Sequence, residues 1–548
     1  MSSPDYPSEP SAQLSTGTPA EPAGTQRSYA DLEQHVLDRD QVGASAVYYD
    51  LYRAERPLAE LLRHAVRIHA PYTHVPYHER IDDGYVNFVN NDHCLLSARA
   101  TLHLTQLMPA PLRGLPIAQT IWYMPTGLDI WNQKLIKAPG HYARGYEMPP
   151  GPPPAPVVHW PDQKPAVTTG ATGDYEERIG EWMTHVHRGQ VLDAYRVFLG
   201  LMEDAGNRDR ALAALVFAGL IDVQDRVFLN RSYTTGHKAY RARATVELGR
   251  YIGWEDAHDV VYAGALDIAV GPRWYSTYEL AGNAVKVLIE DEVIRAVPYA
   301  GASETEAALL NNTGTFTPAE VDETIDALIR GREPGNLEQV AKLLKEGKDP
   351  RKILEVMQVA AAQVIIETKD PKNFSMPQHC YEYTNTLGWY YDNFEHKQRL
   401  KLLFVAASFL NRNADNQRNI GDLVQTRIAA PASASGMSGA QKLAELDRAL
   451  LALDSDASLA WTQACLDDTE DRRPLVETLA GAAAKLGNDP HNQELGQILI
   501  EDFLRTTADD KDRLLLACAQ HTSTHQKYGD TLECYHRYCA AMEIEATA

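Results

Sequence analysis

The chain has 548 residues, with 52 Lys and Arg against 74 Asp and Glu, a formal net charge of −22. That acidity speaks against a nucleic-acid or anionic-membrane partner, since both are held by dense basic faces. Hydrophobic residues make up 44% and charged residues 23%, an ordinary globular composition that excludes disorder for most of the chain.

Residues 1–28 are rich in Ser, Pro, Thr and Gly and predict a disordered tail, without the basic and apolar regions of a secretion signal. No apolar run reaches the roughly 18 residues of a membrane span, so a cytoplasmic protein is expected. A first helical unit is predicted over 29–147, followed by a Pro/Gly-rich linker at 148–172 that contains GPPPAP and TTGATG. Units two and three follow at 173–317 and 318–428, then a short linker at 429–439 and a fourth unit at 440–548.

Apolar residues return every three or four positions in PLAELLRHAVRI (57–68), DRALAALVFAGLI (209–221), VDETIDALIRG (321–331) and DPRKILEVMQVAAAQVII (349–366). Pro57 and Pro350 stand where a first helical turn tolerates proline. Alternating runs are rare, Tyr85–Val89 being the best strand candidate, so the expected class is all-α. Six scattered cysteines with no Cys-x-x-Cys pair argue against both a disulfide framework and a zinc knuckle.

Self-similarity sharpens the picture. His93 and His237 each precede an Ala-Arg-Ala-Thr segment by five residues, His379 opens a similar Gln-His-Cys-Tyr-Glu-Tyr-Thr-Asn stretch, and Gln520-His521 begins a fourth candidate copy. These histidines are spaced by 144, 142 and 142 residues, which predicts an array of about four diverged helical units of ~142 residues.

Four phased histidines at predicted helix starts admit two readings. They are architectural, fixing how each helix enters the bundle, or they converge on a central cavity as metal ligands or acid–base groups. On the second reading His93, His237, His379 and His521 are the candidate metal ligands. His237, His379, Tyr240 and Tyr383 are the candidate catalytic residues, because the two tyrosines follow their histidines by three and four positions on one helical face. His521 and His525 also form an H-x-x-x-H pair, and Asp222, Asp225, Asp267 and Glu247 are possible carboxylate partners. The 27 tyrosines, with aromatic stretches at 121–125 and 272–280, suit a pocket for an aromatic or polyketide-like small molecule. No dinucleotide-binding, P-loop or nucleophile-elbow motif occurs.

The segments around His93 (N-D-H-C), His237 (G-H-K-A-Y-R) and His379 (Q-H-C-Y-E-Y-T-N) give the chain, over about residues 45–540, a likeness. It resembles the questin oxidase-like family and related helical regions upstream of bacterial Rieske modules. Where that family has His-Pro at the helix start, Cys94, Lys238 and Cys380 follow the histidines here, and no Cys-x-His pair of a Rieske cluster is present. The resemblance implies oxygen insertion into, or oxidative cleavage of, polycyclic aromatic ketones. The expectation is therefore an oxidoreductase, specifically a metal-dependent oxygenase using iron, or else copper or manganese, with NADPH or another electron donor. The alternative is a non-catalytic helical-repeat binding or scaffold protein with structural histidines.

Overall fold

Helix starts fall where the sequence supplies a cap. Ser28, Ser303, Thr317 and Ser438 each accept a hydrogen bond from the backbone N–H three residues on, while the side chain at that position returns to the cap. Pro318, Pro350 and Pro490 occupy first helical positions, where no intrahelical N–H is needed, and Pro57 stands just before the helix Leu58–His69.

The structure, a computed structural model, describes residues 27–69, 80–81, 84–85, 92–129, 173–223, 236–254, 261, 264–265, 268–269, 276–291, 301–524 and 532–546. Among these are 22 α-helices and one small ribbon, in which Arg80–Ile81 pairs antiparallel with Gly84–Tyr85. The fold is mainly α. Of the strand expected at Tyr85–Val89, Tyr85 belongs to this ribbon and the rest lies outside the described residues. So do the linker at 148–172 and all but the end of the predicted tail. Among the described residues no helix is long and apolar enough to cross a membrane.

Burial is deeper than an amphipathic stripe implies. In Arg208–Ile221 every residue from Ala211 to Ile221 is buried, as expected of a helix enclosed on all sides. Gly219 allows this closeness, since a Cβ there would lie 2.6 Å from the backbone nitrogen of Ala239. The buried apolar residues form one continuous cluster from Leu32 to Cys539, drawing helices from all four predicted units. Fully burying one such Leu, Ile or Phe stabilises by roughly 1.5–3 kcal/mol.

Four helices define the centre: Asp92–Leu107, His237–Ile252, Ser375–Asn393 and Pro490–Arg505. Each packs on the next and the fourth packs on the first, closing a ring. Each also carries a histidine in its first or second turn, namely His93, His237, His379 and His491. Side chains equally far past these histidines meet. Arg243 and Asn385, each six residues on, are hydrogen-bonded, and His103 and Glu247, each ten residues on, lie 3.6 Å apart. With His491 beside His93 at one level and Glu501 on Arg243 deeper, these contacts give the four helices one direction and a common register.

Candidate metal centre

The local sequence at each helix start sets where its histidine stands. Gly236, just before His237, has φ +101, and a Cβ there would overlap the Tyr240 ring, so glycine is needed on both counts. Lys238 Nζ then donates to Asp222 Oδ2 at 2.5 Å, a buried ion pair that ties this helix start to the end of Arg208–Ile221. His379 is the fifth residue of its helix, with Pro377 accommodated in the first turn. Asp489 caps the His491 helix, accepting from the His491 backbone N–H at 3.1 Å, and the same carboxylate oxygen lies 2.8 Å from His491 Nδ1. Accepting the Nδ1 proton fixes the tautomer and leaves Nε2 as the lone-pair nitrogen.

Because all four helices start at the same end, the four imidazoles come together. Ring centroids are 4.2 Å apart for His491 and His93, 5.8 Å for His93 and His237, 4.6 Å for His237 and His379, and 6.4 Å for His379 and His491. Glu494, one helical turn past His491, places its carboxylate 3.1 Å from His93 Nδ1. One ligand atom each from His93, His491 and Glu494 lies within 4.8 Å of the others. Converging helix N-termini add positive potential to the site, which the Glu494 carboxylate offsets.

Two further layers lie along the axis. Tyr240 packs beside His237 and His379, with centroids at 5.6 and 6.5 Å, and its Oη donates to the backbone carbonyl of His379. Burial pushes its phenol well above 10, and the neighbouring Glu382 carboxylate adds to this, so Tyr240 is a proton-bearing donor. Deeper still, Arg99 Nε donates to Glu247 at 2.7 Å, and Arg243 Nη2 donates to Glu501 at 2.7 Å and to Glu247 at 3.1 Å. Burial pushes both carboxyls up, but the guanidiniums beside them more than reverse this and hold Glu247 and Glu501 well below the usual range. Between the histidines and this Arg/Glu layer is a cavity of about 20 Å³, lined in part by Leu96, Tyr240, Glu382, Glu494 and Ile498.

His93, His237, His379 and Tyr240 of the predicted site residues thus meet. Tyr383 does not: its Oη donates to the carbonyl of Leu220 at 2.9 Å, pinning two helices together. His521 also lies elsewhere, buried in the last turn of the helix Asp512–Thr524, with Nε2 3.4 Å from Gln378 Oε1 and its ring against Phe374. The fourth place is taken by His491, 112 residues after His379, so equal spacing pointed 30 residues too far along the chain.

Of the candidate carboxylates, Glu247 serves Arg99 and Arg243, Asp222 serves Lys238, and Asp225 and Asp267 lie outside the described residues, as does His525. Of the aromatic stretches, Tyr123 approaches His93 edge-on at 6.4 Å, whereas Tyr278 packs on Phe217. A signal for the missed residues is present in the sequence: His379-x-x-Glu382 and His491-x-x-Glu494 share one spacing, which puts each carboxylate one turn past its histidine. No protein-family model, no curated protein and no solved structure matches the chain.

Proposed function

We propose that the protein is a metal-dependent oxidoreductase whose metal, iron by preference, is held by His93, His491 and Glu494 with His237 and His379 alongside. The observation that carries this is the meeting of two imidazoles and a carboxylate, from helices some 400 residues apart, within 4.8 Å. Two histidines and one carboxylate with positions left open is the ligand set of non-haem iron oxygenases, while imidazole also suits copper and zinc. The spacing of the His93 and His491 rings agrees with one ion between them. An imidazole nitrogen at about 2.1 Å puts its ring centre about 3.3 Å from the metal, so rings at right angles lie about 4.6 Å apart. The His93 and His491 pair at 4.2 Å is near that geometry, and His237 and His379, 4.6 Å from each other, stand beside it.

The chain's own residues supply orientation and proton control. Asp489 sets the His491 tautomer, and Tyr240 fixes the His379 backbone while keeping its proton. A bound redox metal would supply the electron chemistry. The substrate remains an aromatic or polyketide-like small molecule, and the 20 Å³ cavity is too small for it. It would approach from the other side, at the helix N-termini.

The second reading, a non-catalytic helical protein with structural histidines, is favoured by the protein partners that His93 and His491 already have in Glu494 and Asp489. Metal analysis separates the two. Purified protein reconstituted with Fe(II) is expected to hold iron stoichiometrically and to lose it in His93→Ala and His491→Ala with the helical fold intact. Wild-type protein that takes up none of iron, copper, manganese or zinc leaves the structural reading standing.

A further inference from the structure

The cavity on the inner side of the histidines bears on what else the centre binds. Polar Arg99, Tyr240, Arg243 and Glu494 line it together with apolar Leu96 and Ile498, and its volume is about 20 Å³. A water molecule needs about 10–15 Å³ measured this way, so the space holds one or two small molecules and nothing larger. It abuts the proposed metal site, because Glu494, whose carboxylate lies 3.1 Å from His93 Nδ1, is one of its walls and Tyr240, packed on His237 and His379, is another.

The walls also say what the space is for. Arg99 and Arg243 are engaged by Glu247 and Glu501, so the guanidiniums at the base are already matched by carboxylates. Leu96 and Ile498 give it an apolar side, both buried. A space this small, with an apolar side beside a ligand carboxylate, is suited to a small neutral molecule that displaces loosely held water.

We propose that this cavity is the small-ligand face of the centre, occupied by water at rest and by a diatomic molecule of the dioxygen type in turnover, separate from the face the organic substrate uses. The inference rests on the metal-centre reading above. It gives Leu96 and Ile498, neither of them a metal ligand, control over how fast a diatomic reaches the metal.

Nitric oxide is a suitable probe, because its complex with ferrous iron has a distinct paramagnetic resonance signal and its binding is followed by stopped flow. Iron-loaded wild-type protein is expected to bind it. Ile498→Phe, which fills the cavity, is expected to keep its iron and lower the association rate at least tenfold, whereas Ile498→Ala, which widens the cavity, is expected to raise the rate severalfold. Association rates that do not change in an iron-loaded Ile498→Phe protein overturn the proposal and place nitric oxide on the outer face. If Ile498→Phe does not fold, Ile498→Ala alone decides, an unchanged rate again being the overturning result. Failure of the wild-type protein to take up iron overturns the metal-centre reading and this proposal with it, an outcome distinct from iron uptake with unaltered rates.

Discussion

Arg243 and Asn385, 142 residues apart in the chain, are hydrogen-bonded in the interior, each six residues past the histidine of its own helix. This one contact fixes the register of two central helices and sets the histidines His237 and His379 side by side. It also links the Arg/Glu layer to the residues around Asp502, to which Asn385 Nδ2 donates at 3.0 Å.

Arg243 is fully buried and holds Glu247 and Glu501. Replacing it with Met leaves two buried carboxylates with Arg99 between them and Arg505 on Glu501 alone, and breaking such a pair costs about 3–5 kcal/mol. Urea denaturation of Arg243→Met should therefore show a loss of that order. A loss below about 1 kcal/mol would mean that the layer contributes little to holding the ring together.

Asp502 gives a pH signature. Burial, then the charge of adjacent Glu501, raises its carboxyl from 3.8 to about 6, against the lowering effect of Tyr381, Arg351 and Asn385. A carboxyl raised in the folded state binds its proton more tightly there than in the unfolded chain. The resulting stability is complete below about pH 4 and is lost as pH rises through about 6. Two units correspond to about 3 kcal/mol. Asp502→Asn removes this titration, so its stability relative to wild type should rise between pH 4 and pH 7 by up to that amount. Parallel stability curves for the two proteins across this range would show that Asp502 titrates normally.

His491 and His521 separate the site that equal spacing suggests from the one the fold builds. His491→Ala should abolish stoichiometric metal binding. His521→Ala, which loses a buried contact to Gln378, should lower the melting temperature and keep the metal. Metal content measured on both variants decides the matter, and retention in the first with loss in the second would reverse the assignment.

Asp489 acts on His491 in two ways, as helix cap and as acceptor from Nδ1. Asp489→Ser keeps a good cap but cannot reach the ring, whereas Asp489→Asn keeps both contacts without the charge. Loss of such a supporting carboxylate typically weakens metal affinity 10–100-fold. Competitive metal titration should show that loss in the Ser variant and a smaller one in the Asn variant, with melting of the metal-free proteins little changed. Equal affinities in all three proteins would reduce Asp489 to a cap.

Much of the secondary structure was legible locally. Capping residues at Ser303 and Thr317, prolines at 318 and 350 and the three-to-four apolar period depend only on neighbours within a turn or two, so helix positions and the mainly α class follow from the sequence. The histidine-led segments at 93, 237 and 379 were visible as well, because similar neighbours accompany each. Which residues share the centre was not, since His93 and Glu494 stand 401 residues apart and meet only because two helices run the same way in one register. Tertiary packing alone excluded His521, buried in the last turn of its helix against Phe374, and admitted His491, whose Asp-Pro start points it inward. Local periodicity says which face of a helix is buried. It says nothing of which distant helix that face will meet, because that is set by the packing of the whole chain.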